Sequence, residues 1–251
     1  MLSKATIKLI HSLDSRKGRR ETGLFVAEGH RLVGELMGHM QLHELFVTEE
    51  AVNDGWQAGG TLVTNEEMSR ASLMRAPQGV LALFRIPADE GFSTQPCTDG
   101  LCLALDGVQD PGNLGTIIRL ADWFGCSNIF CSQDTCDVWN PKVVQATMGG
   151  LARVTVHYGD LPTFLKTLPA DVPVYGTSLQ GDIIWETPLQ AKGLVVMGNE
   201  GNGLSPEVDA FCTRRLLIPS YPAGRTTTES LNVAMATGIV LAEFRRHSFF
   251  S

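Results

Sequence analysis

The sequence predicts an α/β protein: a parallel-sheet domain preceded by a smaller α/β domain. Two observations carry this. From Leu101 onward, short apolar runs alternate with amphipathic stretches, strand then helix, as buried parallel sheets require. A shorter alternation of the same kind fills the first 88 residues. Between them, residues 89–99 are rich in Pro, Gly, Ser, Thr and Asp and read as a linker. The predicted division is therefore 1–88, 89–99 and 100–251.

In the first domain, Ile7, Ile10 and Leu13 are spaced for a helix over residues 3–13. Residues 15–23 read as a basic, glycine-bounded loop. A strand at Leu24–Ala27 leads to a helix from Gly29 to about Met40. Two strands follow, Leu42–Thr48 and Thr61–Thr64, then a short helix capped by Asn65 and a strand at Val80–Phe84. In the second domain, strands are predicted at 101–106, 128–131, 152–157, 172–177, 193–197 and 215–218. Helices are predicted at 113–124, 141–148, 161–168 and 230–246.

Composition narrows the function. The chain has 251 residues, is 43% hydrophobic and 19% charged, and so can bury a core. Its longest apolar runs are much shorter than the about 20 residues of a membrane span, and the N-terminus has no hydrophobic signal core. A soluble cytoplasmic protein is expected. The six cysteines form no C-x-x-C pair and lie beside no histidine at zinc spacing, which points to structural thiols and no metal. A net charge of −7 disfavours a general polyanion binder. Residues 1–31 nevertheless hold seven Lys and Arg against three Asp and Glu. This arm is either a local phosphate-binding patch, through Arg16, Lys17, Arg19 and Arg20, or a solvated helix face and loop.

Three strand-to-helix junctions carry candidate chemistry, since ligands of parallel sheets bind at the carboxyl ends of strands. The first is Asp106-Gly107-Val108-Gln109-Asp110-Pro111-Gly112-Asn113, with Asn113 read as the helix cap and Arg119 one and a half turns further on. Arg119 needs either an external anion or a carboxylate such as Asp122. The second is Gly198-Asn199-Glu200-Gly201-Asn202-Gly203, spaced unlike a dinucleotide fingerprint or a P-loop and followed by no lysine. Glu200 there is placed to orient an arginine or accept a proton. The third is Ser230 and Asn232 at the mouth of the last helix, where Ser230 is either an N-cap or a ligand-facing group. A nucleoside-sized ligand and an anionic substrate suit this set. No G-x-S-x-G elbow or Cys/His couple supports a hydrolase.

These motifs, in this order, resemble the SpoU (TrmH-type) family of SPOUT RNA methyltransferases over about residues 100–247. Asp106 to Arg119 resembles motif 1, Gly198 to Leu204 motif 2, and Ile218-Pro219 with Glu229 to Ala234 motif 3. More weakly, Phe25 to Gly29 and Pro77 to Val80 resemble an L30e-like substrate-binding domain. The resemblance implies S-adenosylmethionine-dependent 2′-O-methylation of ribose in rRNA or tRNA, and the separate N-terminal domain favours rRNA by analogy. It also implies a deep trefoil knot, which no general folding rule would suggest, and a homodimer formed through the C-terminal domain. Asn113, Arg119, Glu200, Ser230 and Asn232 are then catalytic, with Glu200 holding Arg119 as it binds phosphate and assists deprotonation. Thr177, Gly198, Gly201, Ile218 and Leu231 line the cofactor site. The alternatives are a tRNA enzyme, a non-catalytic RNA-binding or assembly protein on the same fold, and a nucleotide-dependent oxidoreductase. The loop Ser220 to Thr228 is longer than in most members, and its Arg225 is either a phosphate contact or an exposed loop residue.

Overall fold

The computed structural model describes residues 2–222, 226 and 228–250. Contacts divide the chain into two units: the residues up to Ala88 together with Asp137–Arg153, and Asp89–Cys136 together with the residues from Val154 onward.

The first unit opens with α1 (Lys4–Ser12) and α2 (Arg16–Thr22). The second of these replaces the basic loop expected from sequence. Ser15 caps it by accepting from the Gly18 amide at 3.0 Å, and Gly23 ends it in the left-handed region at φ 66. Gly18 is required because a Cβ there would lie 2.0 Å from the Ser12 carbonyl oxygen. Arg19 is 2% exposed. Its Nε and Nη2 donate to Asp137, and its Nη1 donates to the carbonyls of Leu13 and Asp14 at 2.7 and 2.9 Å. A guanidinium used in this way cannot grip RNA, so Arg19 is a fold residue and leaves the phosphate-binding set.

Next come β1 (Leu24–Glu28), α3 (His30–Met37), β2 (Leu42–Thr48), α4 (Glu49–Asn53), β3 (Thr61–Val63), α5 (Asn65–Ala71) and β4 (Val80–Arg85). The sheet order is β1-β4-β2-β3. The cap of α5 is Thr64, one residue before the expected Asn65, in a capping box with Glu67. Ile10, Leu13, Val26, Phe46, Met68 and Leu83 are among the buried residues of its core.

The second unit contains α6 (Gln95–Asp99), β5 (Leu101–Asp106), α7 (Pro111–Trp123) and β6 (Asn128–Ser132). Residues 89–99, polar enough to read as a linker, carry α6. They also bury Cys97 and set the Phe92 ring 4.9 Å from that of Phe164. The chain then contributes α8 (Pro141–Ala146) to the first unit, where Trp139 lies 4.6 Å from Phe25 between ring centroids. It continues through β7 (Thr155–Gly159), α9 (Leu161–Leu165), β8 (Val174–Ile183), β9 (Gly193–Gly198), α10 (Pro206–Asp209), β10 (Arg214–Leu217) and α11 (Val233–Phe250). The six strands run parallel in the order β10-β8-β9-β5-β6-β7. Every residue of the adjacent strands β5 and β9 is buried, which is why both read as unbroken apolar runs.

None of the six cysteines forms a disulfide, and burial pushes the Cys126 thiol up to about 11. Among the described residues no helix is long and apolar enough to cross a membrane.

Candidate active site

The carboxyl ends of β8, β9 and β10 surround a cleft of about 620 Å³. Thr177, Gly198, Gly201, Ile218 and Leu231 all line it, as do Glu200 and Ser230. Gly198 cannot be replaced without moving the main chain. A Cβ there would meet the carbonyl carbon of Gly203 at 2.4 Å and the Leu204 nitrogen at 2.6 Å. The loop after β9 folds back so closely because Asn199 and Gly203 exchange two backbone hydrogen bonds of 2.9 Å.

Two side chains without an assigned role in the motifs hold this loop. The Asn199 carbonyl oxygen accepts from the amides of Gly201 and Asn202, and its Nδ2 donates to Gly107 at 2.8 Å. Asp106 Oδ2 accepts from the Ser205 amide at 2.7 Å. Together they tie the first junction to the second. Asn and Asp within glycine-rich turns are the signal that would have singled them out.

The cap of α7 is Asp110, whose carboxylate accepts from the Asn113 amide at 2.8 Å. This corrects the reading of Asn113 as the cap and frees its side chain. Asn113 Nδ2 donates to Glu200 Oε1 at 2.5 Å, and its Oδ1 accepts from Asn232 Nδ2 at 2.9 Å. Asn232 Oδ1 in turn accepts from the amides of Ala234 and Met235 at 3.0 and 3.2 Å, so Asn232, not Ser230, caps α11. Only oxygen can accept from two N–H groups, which fixes which end of the Asn232 amide faces Asn113. The result is one hydrogen-bonded chain, Asn232–Asn113–Glu200, through all three junctions.

Arg119 takes no part in it. The residue is exposed, and among the described residues it makes no hydrogen bond or ion pair. Neither Glu200 nor Asp122 holds it; the Glu200 carboxylate is engaged by Asn113 instead. Ser230 is exposed at the cleft lining. A pair missed from sequence also lines the cleft: Arg215 Nε and Nη2 donate to the two Asp209 carboxylate oxygens at 2.8 and 2.6 Å. The Arg215 guanidinium holds the Asp209 carboxyl below its usual range. In the first unit, Arg16, Lys17 and Arg20 are exposed on α2. Arg225 lies outside the described residues.

Comparisons with known proteins agree on one kinship. The 23S rRNA (guanosine(2553)-2′-O)-methyltransferase RlmP of Bacillus subtilis is 31% identical over 93% of this chain and 93% of its own length. An S-adenosylmethionine-bound rRNA methyltransferase structure from Sinorhizobium meliloti is 32% identical, with a TM-score of 0.82 over 98% of this chain and 96% of that one. A TrmH-family structure from Porphyromonas gingivalis is 39% identical, with a TM-score of 0.84 over 98% and 99%. The MRM3-like substrate binding domain matches residues 4–82. With the SpoU rRNA Methylase family matching residues 100–242 across all three junctions, this chain belongs to that family.

Proposed function

We propose that this chain transfers a methyl group from S-adenosylmethionine to a ribose 2′-hydroxyl of structured RNA, with rRNA as the substrate class. The observation that carries the reading is the Asn232–Asn113–Glu200 chain, which ends on a carboxylate lining the cleft. The rRNA methyltransferases among its relatives support the substrate class.

The cleft suits such a cofactor on its own evidence of size and lining. About 620 Å³ accommodates a nucleoside-sized ligand. Met197, Ile218 and Leu231 offer apolar surface, Thr177, Gly198 and Gly201 leave backbone groups accessible, and the Glu200 and Glu229 carboxylates match a cationic ligand. When bound, the cofactor supplies a methyl carbon on a positively charged sulfur, open to attack by a hydroxyl without a metal.

A ribose hydroxyl is a weak nucleophile until its proton is taken. Glu200 Oε1 is occupied by Asn113, and Oε2 makes no hydrogen bond among the described residues, so Oε2 is the assigned proton acceptor. Asn113 and Asn232 fix the rotamer of that carboxylate, and Ser230 orients the ribose. The exposed guanidinium of Arg119 meets the neighbouring phosphate, with no help from Glu200. Arg16, Lys17 and Arg20 hold phosphates at the first unit, and Arg225 is kept as a further phosphate contact.

The same reading includes a homodimer through the C-terminal domain, a trefoil-knotted chain and a cytoplasmic location. The dimer is supported by Trp123 and Met235, 83% and 63% exposed on the mutually packed helices α7 and α11. Arg119 and Trp123, four residues apart, share a face of α7.

Tritiated methyl transfer from S-adenosylmethionine to total rRNA and tRNA tests the activity. Label is expected in rRNA, at alkali-resistant positions. Asn113→Ala should lower turnover about 100-fold while calorimetry shows an unchanged cofactor affinity. A wild-type protein that binds the cofactor but labels neither RNA sinks the proposal.

A further inference from the structure

The first unit contains a pocket that methyl transfer does not use. Strand β4 runs antiparallel to both β1 and β2, and β3 runs parallel to β2. Strands β1, β2 and β3 therefore point the same way, and each runs directly into a helix, α3, α4 or α5. Their carboxyl ends are where an α/β sheet collects ligands. A cavity of about 350 Å³ opens at these junctions. It is lined by His30 on α3, Glu50 on α4 and Asp54 at its C-terminal cap, Asn65 and Met68 on α5, and Gln78 in the turn before β4.

The two sequence motifs that set this unit apart meet here. Gly29, at φ 99, leaves room for the Gln78 side chain; a Cβ on it would stand 2.4 Å from Gln78 Oε1. Among the described residues the Gln78 amide makes no hydrogen bond, so it offers a donor and an acceptor. Glu50 Oε2 accepts from Asn65 Nδ2 at 3.3 Å, which orients the carboxylate.

The charges work against a phosphate. Two carboxylates line the pocket, and the N-termini of α4 and α5 are already capped by Thr48 and Thr64, which leaves only that of α3, starting at Gly29, without a side-chain cap. Among the described residues no group of three or more His, Cys, Asp or Glu is placed to hold a metal ion. What suits the lining is a flat, uncharged group that donates N–H to a carboxylate, pairs with an amide and covers the buried Met68 side chain. Unstacked RNA bases are recognised in this manner, and carboxylates select exocyclic amino groups. We propose that this pocket receives one unstacked nucleobase carrying an exocyclic amino group (cytosine, adenine or guanine), read by Glu50 and Gln78. The proposal rests on RNA being the substrate of this chain.

Fluorescence anisotropy of the full-length protein with short labelled homopolymers rC, rA and rU tests it. The wild type should bind rC or rA about tenfold more tightly than rU. Glu50→Gln and Gln78→Ala should each reduce that preference to about twofold without changing the salt dependence, because a base contact and not a phosphate contact is lost. Calorimetric binding of S-adenosylmethionine checks that each variant is folded. Equal wild-type affinity for the three polymers overturns the proposal, as does a preference retained in both variants. Glu50-dependent binding of oligolysine without base preference also overturns it, in favour of a peptide site. Methyl transfer to rRNA, measured on the same wild-type preparation, separates the two readings: transfer without base preference sinks the pocket alone.

Discussion

The two concavities, one in each unit, sit at the same topological place and are built from different parts. In the second unit one wall is a glycine-rich loop: Gly198, Gly201 and Gly203 let it close on a strand end, braced by Asn199 from within and by Asp106 and Asn113 from outside. In the first unit α4 and α5 start on their own threonine caps, α3 starts at Gly29 with no side-chain cap, and the lining includes the side chains of Glu50, Asn65 and Gln78. The difference separates two tasks. A wall closed by glycine main chain suits a ligand that never changes, whereas a pocket lined by side chains can be retuned residue by residue without disturbing the fold.

The sharpest way to break this contrast is at Gly198. Gly198→Ala forces a Cβ to within 2.4 Å of the Gly203 backbone and should abolish calorimetric cofactor binding, a loss of about 3 kcal/mol or more. Gly201→Ala, whose Cβ would meet only Asn199 Oδ1 at 3.5 Å, should lose much less. Equal losses would show that the loop gives way and that main-chain closeness is not what shapes the cleft.

Next in size is the division among the first unit's cations. Arg19→Ala leaves Asp137 without its buried partner and should cost about 3 kcal/mol, lowering Tm by roughly 10 °C. Replacing Arg16, Lys17 and Arg20 together by Ala should leave stability within about 1 kcal/mol, yet reduce the salt slope of RNA binding by about 3. A stable Arg19→Ala protein with a reduced slope would reverse these roles.

The smallest effect belongs to Glu28. Burial raises its carboxyl above the ordinary 4.5, against the lowering effect of hydrogen bonds from Ser72 and the Leu73 amide. The protonated form is thus favoured in the folded state, and stability falls as pH rises from 4.5 through the folded value. Glu28→Gln should melt higher than the wild type at pH 7, with a gain that shrinks as the pH drops toward 4.5. A gain independent of pH would mean that packing, not charge, is responsible.

Periodicity and composition were enough to place the strands, because β5 and β9 are buried on both faces and their residues must be apolar. What they hid depends on distant partners or single hydrogen bonds. Helix α2 read as a loop because its charges and glycine mask a helix whose cap is one serine and whose glycine is dictated by Ser12. The partner of Arg19 lies 118 residues away, beyond any local pattern. At the site, residues named from the motifs and their resemblance meet: those expected to hold the cofactor share one cleft, and Asn113, Glu200 and Asn232 are joined. That Glu200 takes Asn113 and not Arg119 as its partner was not legible, since it turned on whether Asp110 or Asn113 caps α7. A three-residue shift of a cap frees the Asn113 side chain from the backbone and turns it to Glu200.

The double use of Asn232 makes the orientation of Glu200 depend on a helix that Glu200 itself does not touch through a hydrogen bond. Its oxygen is held by the first turn of α11, and only then does its nitrogen face Asn113. Until that final helix winds, the amide has nothing to set its direction, and Glu200 loses the brace that begins there.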